Sequence, residues 1–207
     1  ELLAAMFRLT GVLLFPVGIG LALVGDEAMR ILGGPSWTQA GPLLSVLGLG
    51  IIAQGFINLT GAVFAAAGQT RALFAGSIVA TVVLAQGYLA GWAIGRRYGE
   101  PTVGVAWGYA LATIFAVAVP YVLFALRATG YRSGPILRGL VRPGMAALAM
   151  GVVVALVDWR WMPADASPVL ALAIKVLLGA AVYLWLARGE TRWLWSQARR
   201  DASPPNR

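Results

Sequence analysis

Gln54 and Asn58 are two amide side chains inside the uncharged stretch of residues 43–66. Because residues four apart lie on one face of an α-helix, a helical stretch would present both amides together, with Gly61 continuing that face. An unpaired amide in hydrocarbon costs several kcal/mol, so this face is not expected to contact lipid. Neutral amides form hydrogen bonds worth ~1 kcal/mol net, which suits a polar ligand that must be released. The pair therefore predicts either a contact with a passing ligand in a cavity or hydrogen bonds to a neighbouring helix.

Three other polar side chains in or beside apolar stretches are candidates for the same cavity. Arg8 is near the start of the first stretch, where its side chain either extends to the membrane–water interface or faces a polar cavity. Gln86 is in the third stretch, at a position from which it can hydrogen-bond across a helix interface. Lys175 is ~10 Å inside the last stretch at ~1.5 Å per residue, deeper than an ammonium group comfortably extends to the interface. The candidate substrate or cavity residues are Gln54, Asn58, Arg8, Gln86 and Lys175.

The residue types present exclude most enzyme and metal chemistry. The chain has no Cys and no His, and its eight acidic residues are expected to lie in connectors or termini. No carboxylate pair is then available for general acid and base catalysis or for a proton relay inside the membrane. We therefore expect no enzyme activity, no catalytic residue, no metal site and no cofactor. The net charge of +8 does not indicate nucleic-acid binding, because the basic residues lie between apolar stretches rather than along a polar groove.

Six apolar stretches predict an all-α integral membrane fold with six transmembrane helices. Residues 26–41 are expected to form a connector in which residues 27–32 make a short amphipathic helix on the membrane surface. The fifth stretch is short for a span. Its helix is therefore expected either to place the residues that follow it in the membrane interface or to begin before Arg138. The predicted spans are residues 2–25 or 9–25, 43–66, 72–95, 103–126, 144–157 and 168–187.

Glycine and proline positions predict how these helices pack and bend. Glycines recur at every fourth residue in the third span and again in the fourth, a spacing that lets two helices approach closely. We expect these two glycine ridges to face each other. Proline removes one helical hydrogen bond, so kinks are expected at Pro16 and Pro120. The helix-packing glycines are Gly87, Gly91, Gly95, Gly104 and Gly108.

The overall composition is that of a polytopic membrane protein. Hydrophobic residues make up 59% of the chain and charged residues only 12%, and the mean hydropathy is +0.78, whereas soluble domains carry ~25% charged residues. With six alternating spans, the connectors on the side of the amino terminus hold most of the Lys and Arg residues, which predicts that both termini are cytoplasmic. Since the chain begins with Glu1 and shows no signal-peptide pattern, we expect it to be a piece of a longer protein.

Three connecting motifs resemble the C-terminal half of bacterial polysaccharide flippases. They are residues 32–44 (LGGPSWTQAGPLL), residues 66–71 (AAGQTR) and residues 99–113 (GEPTVGVAWGYALAT), each joining apolar spans. The flippases in question are Wzx-like O-antigen and exopolysaccharide members of the multidrug, oligosaccharidyl-lipid and polysaccharide exporter superfamily. The resemblance covers about residues 7–126 and extends to the last two spans by position only.

This resemblance implies part of a two-lobed transporter with twelve to fourteen helices. Residues 1–126 would form the last four helices of the second lobe, residues 127–187 two peripheral helices with a basic linker, and residues 188–207 a cytoplasmic tail. The implied function is translocation of undecaprenyl-pyrophosphate-linked oligosaccharides across the bacterial cytoplasmic membrane by alternating access. The implied partners are the lipid-linked oligosaccharide, membrane lipids and polymerase or assembly proteins. Lys175 would then either contact the carrier pyrophosphate or extend to the interface with local thinning of the membrane.

Two other functions are compatible with the sequence. A cation-coupled exporter of the same superfamily would need intramembrane Asp or Glu residues, and none is expected in these spans. A membrane scaffold without transport activity would carry scattered polar residues rather than polar residues gathered at one cavity. The arrangement of the polar side chains in space therefore bears on the choice.

Overall fold

A computed structural model describes residues 2–128, 133–161, 163 and 167–189. The described residues contain six helical spans that are long and apolar enough to cross a membrane, so the predicted all-α membrane fold with six spans is confirmed. The fourth span, Pro101–Arg127, consists of two α-helices joined by a π-helical segment. In chain order the elements are α1 (Leu2–Gly33), a 3-10 helix (Pro35–Ala40), α2 (Gly41–Ala66), α3 (Thr70–Arg97), α4 (Pro101–Leu111), the π segment (Ala112–Ala118), α5 (Val119–Ala128), α6 (Ser133–Trp161) and α7 (Pro168–Leu186).

The first span is longer than the sequence predicted. The expected surface helix of residues 27–32 is wrong, because these residues continue α1 without interruption to Gly33. The charge of Glu27 does not end the helix because a lysine of another helix neutralises it, as described below. The chain leaves α1 only at Gly34, whose φ of 75° lies in the left-handed region that glycine adopts without strain. Pro35 then starts the 3-10 helix.

The fifth span is also longer than its apolar stretch. Helix α6 begins at Ser133, so the start before Arg138 is confirmed, and the helix also continues beyond the apolar stretch to Trp161. Arg138 and Arg142 are exposed, and Pro143 is buried inside the helix. The apolar stretch alone underestimates α6 because these arginines can extend to the headgroups while their helix continues.

Helices α1 and α2 form the centre of the bundle. Helix α1 packs against α2, α6 and α7, and α2 also packs against α4, the π segment and α5. A cluster of apolar residues from α1, α2, α5 and α6 fills one end of this centre, and the rings of Phe7 and Phe56 stack there at 6.0 Å. The cluster consists of Leu3, Phe7, Phe56, Leu126 and Ile136.

The two glycine ridges lie against each other where α3 packs on α4. A Cβ atom added at Gly91 would overlap the carbonyl oxygen of Gly104, and one added at Gly108 would overlap the carbonyl oxygen of Gly87. A Cβ atom at Gly95 would lie 2.9 Å from the Cα atom of Gly104. These contacts involve backbone atoms on both sides, so no side chain can move to make room.

The π segment comes directly before Pro120. Proline has no N–H to offer the carbonyl one turn earlier and its ring crowds that carbonyl, which disturbs the regular α-helical register. A π turn widens the register and is a common way to absorb such a disturbance. Helix α1, by contrast, stays helical through Pro16.

We predict that Gly91→Ala destabilises the protein, because the added methyl group has no space against the α4 backbone. Overpacking of this kind costs ~1–3 kcal/mol, so the melting temperature in detergent should fall by several degrees. Gly20→Ala is the matched control, since no atom lies within 4 Å of a Cβ added at Gly20. Equal melting temperatures for the two variants would contradict the tight α3–α4 contact.

We also predict that the 3-10 helix is outside the cytoplasm and that the turn between α2 and α3 is inside it. A cysteine at Ser36 should react with a membrane-impermeant thiol reagent on intact cells, whereas a cysteine at Thr70 should react only after permeabilisation. Both positions are exposed and lie at opposite ends of α2. Labelling of Thr70→Cys alone on intact cells would invert the topology.

Candidate functional site

Helix α2 carries the amide pair on its exposed face. The Nε2 atom of Gln54 donates a hydrogen bond to the Oδ1 atom of Asn58 over 3.2 Å, and both side chains are exposed. Neither side chain bonds to another helix in the described part of the chain. The mutual bond leaves the Gln54 carbonyl oxygen and the Asn58 NH2 group available, so the pair offers both an acceptor and donors to a ligand.

Lys175 is buried and forms ion pairs with acids of two other helices. Its side chain is only 6% exposed, and its Nζ atom lies 2.7 Å from Oε1 of Glu27 and 3.0 Å from Oδ2 of Asp158. The same Nζ atom donates a hydrogen bond over 3.3 Å to the backbone carbonyl of Leu23. The cluster therefore joins α7 to both α1 and α6. We call Lys175, Glu27 and Asp158 the lysine cluster.

The expectation that all acids lie in connectors or termini is wrong for three of them. Asp26 and Glu27 are in α1, and Asp158 is in α6. Both spans were expected to end before these acids because each charge was taken as the limit of an apolar stretch. A signal was available: Lys175 is too deep to extend to the interface, so a buried ammonium group required a carboxylate partner from elsewhere in the chain.

The lysine cluster contains two carboxylates and one ammonium group, which leaves one negative charge in excess. The Oε2 atom of Glu27 is buried and has no hydrogen-bond partner in the described chain. To bind an anionic ligand, the Lys175 ammonium group would first have to leave two carboxylates at contact distance. Contact with a pyrophosphate thus remains a prediction, and the geometry opposes it.

A second polar contact joins α7 to α1. Because Pro16 has no N–H, the carbonyl of Val12 loses its helical donor. The hydroxyl group of Tyr183 donates a hydrogen bond to this carbonyl over 2.8 Å. Pro16, Tyr183 and Lys175 line one cavity of about 440 Å³ between α1, α6 and α7.

Arg8 and Gln86 occupy separate surfaces. The Arg8 side chain is half-buried, and a Cβ atom added at Gly139 of α6 would lie 3.9 Å from its Cβ and Cδ atoms. Gln86 is exposed on α3 and makes no hydrogen bond to another described helix. The structure therefore does not gather the five candidate residues at one place, since the amide pair, Arg8, Gln86 and Lys175 lie on different parts of the helices.

No protein-family model matches this chain, and no solved structure matches it. The chain is similar to the teichuronic acid biosynthesis protein TuaB of Bacillus subtilis (strain 168), with 25% identity over 185 residues. The aligned part covers 87% of this chain and 36% of that relative. The chain thus spans about a third of the length of the curated relative that it matches.

We predict that Lys175→Met lowers the free energy of unfolding by ~3–5 kcal/mol, because it leaves the buried Glu27 carboxylate without a cation. Adding Glu27→Gln should recover most of this loss. Asp158→Asn alone should cost under ~1 kcal/mol, since that carboxylate is 41% exposed and can be hydrated. Thermal unfolding in detergent measures all four proteins. If Glu27→Gln gives no recovery, Lys175 is not neutralising Glu27.

Proposed function

We propose that this chain is part of a transporter that moves lipid-linked polysaccharide units across the bacterial cytoplasmic membrane by alternating access. Six apolar spans and the similarity to a teichuronic acid biosynthesis protein support a membrane protein of polysaccharide synthesis. In this proposal the chain carries out no chemical step. Its partners are the lipid-linked oligosaccharide, the surrounding lipids and the proteins that polymerise or assemble the polysaccharide.

The exposed amide pair on α2 is the observation that carries the proposal. Gln54 and Asn58 lie in a span without charge, are exposed and bond to no other described helix. An amide directed into hydrocarbon is too costly to keep, so this face must contact water, a ligand or another polar surface. Sugar hydroxyls both donate and accept hydrogen bonds, as the free groups of this pair do. Each bond is weak enough to permit release.

The two alternative functions are less well supported. Glu27 and Asp158 are carboxylates within the spans, as a cation-coupled exporter requires, but both are bonded to Lys175. The candidate polar residues are dispersed within the described chain, an arrangement that a scaffold without transport activity also permits. A scaffold, however, has no use for exposed amides with free hydrogen-bonding groups in an apolar span.

We predict that Gln54→Leu combined with Asn58→Leu in the full-length protein lowers surface polysaccharide while protein abundance stays near normal. The reason is that the substitutions remove ligand hydrogen bonds without removing any bond to another described helix. Quantitative blotting and surface glycan staining of the same cells measure the two quantities. Val79→Leu is the control, since Val79 is exposed on the neighbouring helix α3. If abundance falls and the remaining molecules transport at the normal rate, the amides hold helices together and the proposed function loses its main support.

A further inference from the structure

Polar side chains line both sides of the space between α2 and α3. Gln54 and Asn58 belong to α2, and Ser77 and Thr81 belong to α3; all four are exposed. Counted from the turn that joins the helices, Asn58 and Ser77 lie at ~10–12 Å and Gln54 and Thr81 at ~17–18 Å, at 1.5 Å per residue. The two pairs therefore match in depth. We call the space lined by these four residues the α2–α3 cleft.

One direct contact near the turn, and contacts of both helices with α4 farther away, place these two helix faces beside each other. Near the turn, a Cβ atom added at Gly61 would lie 3.9 Å from the Cδ1 atom of Leu73. Gly61 shares the face of Asn58, and Leu73 lies one turn before Ser77. The polar residues between these ends are thus directed to a common space.

At the other end, α2 and α3 both contact Tyr109 of α4. A Cβ atom added at Gly50, one turn before Gln54, would lie 3.4 Å from the Cε1 atom of Tyr109 of α4. The ring of Tyr109 stacks on Tyr88 of α3 with centroids 5.5 Å apart and planes inclined by 10°. Tyr88 lies on the face of α3 that carries Ser77 and Thr81. Since Tyr88 is 42% exposed, part of its ring surface remains accessible.

A buried hydroxyl without a partner lies one turn beyond the aromatic stack, in the α4 span. Thr113 follows Tyr109 by one turn and therefore lies on the same face of the α4 span. It is only 1% exposed, and its Oγ1 atom has no hydrogen-bond partner in the described chain. Buried hydroxyls are nearly always bonded, so an orphaned one points to a missing ligand or water. Thr113 also belongs to the π segment, a type of structure that is frequent at functional sites.

The chemistry of the cleft is neutral and rich in hydrogen-bonding groups. The hydroxyl groups of Ser77 and Thr81 donate to carbonyl oxygens one turn earlier over 2.9 Å each, so their lone pairs remain as acceptors. The amide pair contributes the free NH2 donors of Asn58 and the carbonyl oxygen of Gln54. No charged residue occurs in residues 43–66 or 73–95, so an ionised phosphate would find no counter-charge here.

We infer that the α2–α3 cleft binds a neutral sugar ring. The sugar hydroxyls bond to the amides and to the Ser77 and Thr81 oxygens. The apolar C–H face of the ring lies against Tyr88. This inference rests on the proposed function and deepens it by assigning the glycan, rather than its phosphate carrier, to this place.

The first test asks whether the cleft contains water. Single cysteines at Ser77, Thr81 and Val79 are introduced into a full-length protein from which any cysteine outside these 207 residues has been removed, and the variants are treated with a hydrophilic methanethiosulfonate reagent. Val79 lies at the same depth as the other two but on the far side of α3, where it is 63% exposed. A thiol reacts as the thiolate, which forms in water and not in lipid. We expect the cleft cysteines to react at least ~10-fold faster than the control; equal rates at all three positions would overturn the inference.

The second test identifies the occupant by protection. Maltotriose and chitotriose are added to the purified Thr81→Cys protein, and inorganic phosphate is added in a separate sample. We expect at least one saccharide to slow labelling several-fold and phosphate to leave it unchanged, with Tyr88→Ala reducing the protection. Protection by phosphate alone, or by neither saccharide, would overturn the assignment. A third outcome separates this inference from the proposed function. If a saccharide protects Thr81→Cys but Gln54→Leu and Asn58→Leu leave transport intact, the sugar-binding site stands and the proposed function is contradicted.

Discussion

Hydrocarbon offers no hydrogen bonds, so each polar group that a helix carries into a bilayer must find its partner in the protein or in water. Two contacts in the described chain meet this requirement over long sequence distances. The carbonyl of Val12 is bonded by Tyr183, 171 positions away, and Lys175 is bonded by Glu27, 148 positions away. Both contacts join α7 to α1. Hydrogen bonds to buried polar groups therefore help to determine which helices are neighbours. Apolar packing alone does not determine this, because an apolar helix surface can contact lipid as well as another helix.

Much of the fold follows from local sequence patterns. Apolar stretches predicted all six spans, and the turn at Gly68 separates α2 from α3, with φ of 68° at that glycine. The four-residue spacing of Gln54 and Asn58 placed both amides on one face, where they bond to each other. These features depend on residues within one or two helical turns, so a single sequence contains all the information they need.

The parts that sequence analysis missed depend on distant partners. Glu27 and Asp158 were assigned to connectors because a lone charge is costly in a span, but the cost is lower when each forms an ion pair with Lys175. The end of α1 was misplaced for the same reason. Thr113 was not a candidate because nothing in the sequence distinguishes a bonded threonine from an orphaned one. Pro16 was recognised as a defect in α1, but its compensation by Tyr183 requires the packing of α7 on α1.

The glycine contact between α3 and α4 has a mechanical consequence. Its facing atoms belong to the backbone, so the interface has no rotamers through which it could repack. If one helix slid along the other, backbone carbonyl oxygens would clash. We therefore expect α3 and α4 to move together as one rigid body. A hinge in these helices is then expected in a segment whose backbone geometry can vary. The π segment is suited to that role, because it can return to an α-helical register by shifting a single residue.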